Sequence, residues 1–207
     1  VQTCALPIFY CPDLLSSNNI FCVAEDSCHR LWIGTYSGLN VLDKRTGEVR
    51  KIENAELSST GISQILVTSD QRILFATEIG LYEYKEIDNS FLAYDTSNTG
   101  GGFPRATIKS LFEDDRGDIW IGTWNSGLYR YEKKTGKYWK YPKMNSGNSA
   151  HVVFQDSYKN ISVHGDRVCI YYTMLMIRRE LLGLHLPIMK SSLIQFQIIL
   201  SMPFQKM

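Results

Sequence analysis

The chain of 207 residues carries a formal net charge of +1, which leaves no basic excess to suggest nucleic acid as a partner. Aromatic residues make up 12% of it, a share that suits sheet packing and sugar-binding surfaces alike. Of its five cysteines, Cys4 and Cys169 lie in stretches that break the pattern described below; Cys11, Cys22 and Cys28 remain, an odd set with no disulfide framework.

Residues 1–8 fit no element. They can be encoded by a nucleotide string resembling a common short-read sequencing adapter, so we read them as a scar and set them apart from the fold. From residue 20 onward, short alternating or β-branched runs recur between turn residues. Strands are expected over 20–25, 31–35, 39–43 and 49–52, then over 62–67, 73–77, 81–84 and 91–94. A third set covers 106–112, 119–123, 128–131 and 138–141, and a fourth opens at 150–156. Glu113 to Asp118, Asn125-Ser126-Gly127 and Thr135-Gly136 are tight turns, where Asp caps local backbone groups and Gly takes positive φ.

One phrase organises these runs. Leu31-Trp32-Ile33-Gly34-Thr35 returns as Ile119-Trp120-Ile121-Gly122-Thr123, with a worn copy, Ile73-Leu74-Phe75-Ala76-Thr77, between them. The threonines are 42 and 46 residues apart. A period in the forties with strand-like content marks an array of sheet units. A four-stranded sheet of that size cannot bury both faces alone, and stacking face to face makes each sheet a β-propeller blade. The expected fold is therefore all-β, a partial propeller of about three and a half four-stranded antiparallel blades. The blades span 17–58, 59–104 and 105–146, with a fourth starting at 147. Trp32 and Trp120 are expected to fill blade interfaces, and Gly34 and Gly122 to sit where a neighbouring backbone passes close.

After Ile161 the pattern demands Trp, Gly and Thr, and the chain supplies Ser162-Val163-His164-Gly165. Read in a shifted phase, codons for 168–184 and for the last eleven residues can yield blade-like sequence again. Residues 162–207 are thus expected to be a frameshifted, non-propeller tail and not a native domain. Its apolar runs are too short and interrupted for a transmembrane helix.

The repeated residues resemble the two-component regulator propeller family. The matching positions are Glu25-Asp26, Trp32 to Thr35, Gly38-Leu39 and Thr46-Gly47 in the first copy. In the third they are Glu113-Asp114, Gly117, Trp120 to Thr123, Gly127-Leu128 and Thr135-Gly136. The middle copy departs, with Val67-Thr68, Leu74 and Ala76. The resemblance covers residues 9–161. It implies the non-catalytic periplasmic sensor region of a hybrid two-component sensor histidine kinase of the Bacteroidetes type, many of which respond to oligosaccharides and control polysaccharide-utilisation genes. The implied partners are an oligosaccharide ligand, the remaining blades, downstream sensor domains and a second copy in a full-length homodimer. The implied signal peptide, membrane helix and kinase lie outside this chain.

No catalytic group, metal site or cofactor is expected. The histidines His29, His151, His164 and His185 lack paired zinc spacing, and Glu113-Asp114-Asp115 with Asp118 lacks the ligand alternation of a calcium loop. The candidate ligand residues are those of the loops between second and third strands: Tyr36, Glu78, Trp124 and Asn125, joined by Arg105 from the connection into the third blade. An aromatic plane beside amide and charged groups suits a sugar, by stacking and by hydrogen bonds to hydroxyls. The competing reading is that Tyr36 and Trp124 only brace neighbouring blades. Two other functions stay open at this point, a protein-interaction scaffold and a propeller enzyme such as a lyase or glycosidase.

Overall fold

The computed structural model describes residues 14–141, 149–165 and 169–172. The readings placed on residues 1–8 and on the tail past Tyr172 lie outside these. Among the described residues every regular element is a strand. The chain divides into two compact units, residues 1–93 and 94–207.

In the first unit, β1 (Ile20–Glu25), β2 (Arg30–Thr35), β3 (Gly38–Asp43) and β4 (Val49–Lys51) form an antiparallel sheet in chain order. A second sheet repeats this with β5 (Ile62–Val67), β6 (Ile73–Thr77), β7 (Leu81–Lys85) and β8 (Ser90–Tyr94). In the second unit, β9 (Ile108–Glu113), β10 (Ile119–Thr123), β11 (Leu128–Glu132) and β12 (Lys137–Lys140) make a third such sheet. A three-stranded sheet follows from β13 (Val152–Gln155), β14 (Ile161–His164) and β15 (Cys169–Tyr172). It runs on past Ile161, where the side-chain signals of a blade give out. Antiparallel pairing needs only backbone groups, and Val152 still registers with His164, and His164 with Cys169.

The repeated phrase can be read atom by atom. Asp26 closes the β1–β2 turn, its Oδ1 accepting the backbone N–H of Cys28 (2.9 Å) and Arg30 (3.0 Å). Its Oδ2 accepts Arg30 Nε (2.7 Å) and the buried indole N–H of Trp32 (2.8 Å). The third sheet repeats this: Asp114 accepts Arg116 N (2.9 Å), Asp118 N (3.1 Å) and Trp120 Nε1 (3.0 Å). A buried tryptophan needs a partner for its one donor, and the turn aspartate six residues earlier supplies it. In the middle sheet both members are replaced. Leu74 carries no donor, and Thr68 Oγ1 still closes the turn by accepting Arg72 N (2.9 Å). In the fourth sheet Asp156 holds Asn160 through its backbone N–H (2.8 Å) and its Nδ2 (3.0 Å). The tryptophan position there is Ser162, whose hydroxyl is buried without a hydrogen-bond partner.

Charge on the same sheet face varies in matched pairs. Glu83, 4% exposed, sits opposite Leu74 and takes Arg72 through two bonds of 3.1 Å each. In the third sheet the signs are exchanged: Arg130, 1% exposed, stands opposite Trp120, lies 5.7 Å from its ring and faces Asp118 at 3.7 Å. In the first sheet the position opposite Trp32 is Val41.

Two cores result, one in each unit. In the first, Trp32, Leu39, Val41 and Leu57 of one sheet and its connection pack on Ile62, Ile65, Phe75, Tyr82 and Tyr84 of the next. In the second, Trp120, Leu128 and Tyr141 pack on Val153, Ile161 and Val163. Both repeat glycines mark close approach. A Cβ on Gly34 would meet Cys22 Sγ at 2.5 Å and Ile62 Cγ2 at 2.8 Å, and one on Gly122 would meet the Ala150 carbonyl oxygen at 2.5 Å.

Candidate ligand-contact loops

The loop after the second strand of each full sheet is tied off by the threonine that ends the phrase. Thr35 Oγ1 donates to the Gly38 carbonyl (2.8 Å), Thr77 Oγ1 to that of Gly80 (2.7 Å) and Thr123 Oγ1 to that of Gly127 (2.6 Å). Bonding inward through the threonine leaves the next side chain outward. Tyr36 is 60% exposed and Trp124 46%. Each is anchored through its own backbone, Tyr36 N donating to Asn19 O (2.9 Å) and Trp124 N to Thr107 O (2.8 Å).

The first strand of each four-stranded sheet adds a feature that alternation does not predict. The register slips between Ile20 and Cys22 against Thr35 and Gly34, between Ile62 and Gln64 against Thr77 and Ala76, and between Ile108 and Ser110 against Thr123 and Gly122. Phe21, Ser63 and Lys109 are the extra residues of these three bulges. A bulge kinks its strand and re-aims one side chain. Here the re-aimed residue meets the exposed loop aromatic. Phe21 meets the Tyr36 ring edge-on, with centroids 6.1 Å apart, and Lys109 Nζ lies 5.3 Å from the centre of the Trp124 ring.

In the second unit these residues make a compact polar group. His151 lies against Trp124 with ring centroids 5.1 Å apart at 65°. Asn125 holds a left-handed backbone at φ 63°, a conformation that Asn tolerates better than most residues. Its N–H donates to Ser149 Oγ (3.3 Å), and the Ser149 hydroxyl donates to Asn125 Oδ1 (3.4 Å). The group therefore offers an indole face, an ammonium, an imidazole and an amide. An indole face beside an ammonium suits an electron-rich or hydroxyl-bearing ring.

The sequence-derived candidates divide between the units. Trp124 and Asn125 are neighbours in this group. Tyr36 and Glu78 occupy successive loops of the first unit. Glu78 N donates to the Gly61 carbonyl (3.2 Å), and its carboxylate lies over Gly61, where an added Cβ would be 3.1 Å from Glu78 Cδ. Arg105 is exposed on the segment entering β9. Asp95 is held below the usual carboxylate range chiefly by the Ser97 hydroxyl, with the charge of Arg105 as a smaller contribution. Sequence reasoning missed Phe21, Lys109, His151 and Ser149. Lys109 was visible as the repeat equivalent of Phe21, but nothing in the alternation shows that both positions are bulged. Trp124 also touches His151, so bracing accounts for part of its position while nearly half of it stays open to solvent. Among the described residues no three His, Cys, Asp or Glu side chains are grouped so as to hold a metal ion.

Antiparallel four-stranded sheets stacked through tryptophan interfaces, with exposed loop residues at a repeated position, define a partial β-propeller. The chain carries the repeat of the two-component regulator propeller family, whose model matches residues 14–37 and 102–125. A comparison with curated protein sequences finds no match. Among solved structures, the chain is similar to the extracellular domain of the hybrid two component system BT3049 from B. thetaiotaomicron, at 24% identity and a TM-score of 0.64. That match covers 79% of this chain and 23% of the other. The extracellular domain of the one component system BT4673 from the same organism matches at 22% identity and a TM-score of 0.61, over 75% of this chain and 21% of that one. Virginiamycin B lyase from Staphylococcus aureus matches at 14% identity and a TM-score of 0.59, over 76% of this chain and 53% of the lyase. At these identities the likeness is one of fold. The chain spans under a quarter of the length of the two Bacteroides domains.

Proposed function

We propose that the chain is part of the periplasmic, non-catalytic sensor region of a hybrid two-component system, and that its loop groups contact an oligosaccharide. The observation that supports this reading best is the group at Trp124. Its half-open indole is flanked by Lys109, His151 and Asn125, on the loop that the buried phrase holds rigid. The family supplies the signalling context. In such a system a ligand acts only through different affinity for two arrangements of the protein, one of which favours the kinase across the membrane. Binding without turnover is the expected behaviour. The carboxylates near the repeated turns bond their own backbone, as Asp26 and Asp114 do, which suits structure better than acid–base chemistry.

The test is a glycan array of neutral oligosaccharides probed with the 207-residue chain and with its Trp124→Ala and Asn125→Ala variants. Retention of one glycan class by the parent, weakened about tenfold or more by Trp124→Ala, supports the reading. No retained glycan, or retention indifferent to both variants, refutes it. Consumption of the bound glycan would move the protein to the enzyme class.

A further inference from the structure

The two sheets of the first unit lie together at one side and part at the other. The first strands β1 and β5 and the strands β2 and β5 are in contact, while no comparable contact joins the outer strands β4 and β8. Trp32, Val41 and Arg50 form one cross-strand row leading outward from β2 through β3 to β4. Trp32 fills the inner part of the interface, 4.9 Å from the Tyr84 ring, and Tyr84 in turn lies 5.4 Å from Phe91. Farther out, a cleft of about 510 Å³ opens along this row. Its presence follows from residue size. Within the second unit, the position of Val41 is taken by Arg130, which fills that space over Trp120 and reaches the Tyr141 hydroxyl (3.4 Å). A valine leaves the room that an arginine would occupy.

The walls of this cleft differ in chemistry. Phe91 offers ring surface from the second sheet, beside a Tyr84 ring that Arg30 covers, while Arg50 and Lys51 stand on the outer strand of the first. Arg30 also lines it, but its charge is satisfied by Asp26 and Glu86. Glu53 is the one carboxylate of the lining, against three cations. Arg50 has only an exposed Glu48 for company, at 4.0 Å. The volume falls within the range of small-molecule sites, about 300–1,000 Å³. The Phe91 ring on one side favours an apolar ring face, and two cations without buried partners on the other favour a carboxylate.

We propose that this outer cleft is a second binding site, for a small carboxylated saccharide that lays a sugar ring against Phe91 and its carboxylate at Arg50 and Lys51. The proposal stands on the first unit alone and does not depend on the sensor reading, which concerns the loops after β2, β6 and β10.

Calorimetric titration of the 207-residue chain with digalacturonate and with neutral galactobiose tests it. Digalacturonate should bind about tenfold more tightly. The variant Arg50→Gln with Lys51→Gln, both on an edge strand and outside the core, should bring the two sugars within about twofold. Glu53→Gln should tighten digalacturonate by removing the opposing charge, an effect that a purely structural role of these residues would not give. No heat with digalacturonate, equal affinity for the two sugars, or an unchanged preference in the double variant overturns the proposal. Loss of binding in Trp124→Ala with the Arg50/Lys51 variant unaffected also overturns it, and transfers the ligand to the loops.

Discussion

Replacing Asp26 by Thr and Trp32 by Leu, singly and together, gives the first sheet the combination that the second already carries at Thr68 and Leu74. Asp26 accepts four hydrogen bonds, two from backbone N–H groups and two from the side chains of Arg30 and Trp32. In Asp26→Thr the backbone bonds can be remade, as Thr68 shows, but the Trp32 indole stays buried with an unsatisfied donor. Arg30 keeps Glu86. An orphaned buried donor costs about 1–3 kcal/mol, and the loss of a charge-assisted bond adds a similar amount, so Asp26→Thr should cost about 3 kcal/mol. Trp32→Leu removes a buried ring that is 1% exposed and leaves a cavity, for about 3 kcal/mol. In the double variant no indole is left to satisfy, so the total should fall short of the sum by about 1–2 kcal/mol. Urea unfolding of all four proteins, followed by far-ultraviolet circular dichroism so that loss of the tryptophan does not blind the probe, measures the coupling. If the two costs add to within about 0.5 kcal/mol, the indole bond is not what ties these two positions together.

Three further outcomes are expected. Burial pushes the Asp26 carboxyl up, but the bonds from Trp32 and from the backbone and side chain of Arg30 outweigh it and hold it below its ordinary value, whereas burial raises Asp118 above its own. Asp26 thus contributes stability that is lost as pH falls through its depressed value, while Asp118 favours the native state only once protonated; the stability difference between about pH 7 and about pH 3 should shrink in Asp26→Asn and grow in Asp118→Asn, as urea titrations at both pH values would show. Gly122→Ala drives a methyl into the Ala150 carbonyl oxygen at 2.5 Å, where backbone must move, and should cost about 2 kcal/mol in thermal or urea unfolding, well above an ordinary helix- or strand-propensity change. Burial pushes the Cys22 thiol up to about 11, so peptide mapping after brief maleimide treatment at about pH 8 should find the exposed Cys28 labelled and Cys22 spared until the chain is unfolded.

Much of the fold can be read from the chain because its strands are short, alternating and separated by turn residues with a mechanism. β1, β5, β6 and β10 match their expected spans, and the other strands of the first three sheets shift by a residue or two at their ends. The interface roles of Trp32, Trp120, Gly34 and Gly122 followed from size alone. What stayed hidden is what joins residues across a hairpin. The turn aspartate reads as a cap, and only the folded hairpin shows that its second oxygen holds a tryptophan six positions later. Val41, Glu83 and Arg130 share one position opposite the phrase, yet they look unrelated until each is set beside Arg72, Asp118 or the open cleft. The candidate loops were legible because Tyr36 and Trp124 follow a fixed threonine. Lys109 and Phe21 were not, because a one-residue slip in register leaves no mark on the alternation.

That slip separates two demands that a strand normally binds together. In a regular strand, the pleat fixes which face each residue presents, so position and packing register are set together. At 21, 63 and 109 the bulge takes one position out of the packing register, and the chain places Phe, Ser and Lys there without altering the interface beneath. Each of the three four-stranded blades thus carries a slot whose content is free to vary while its neighbours stay committed to the stack. Blades of one plan can therefore differ in the surface they present at no cost in architecture.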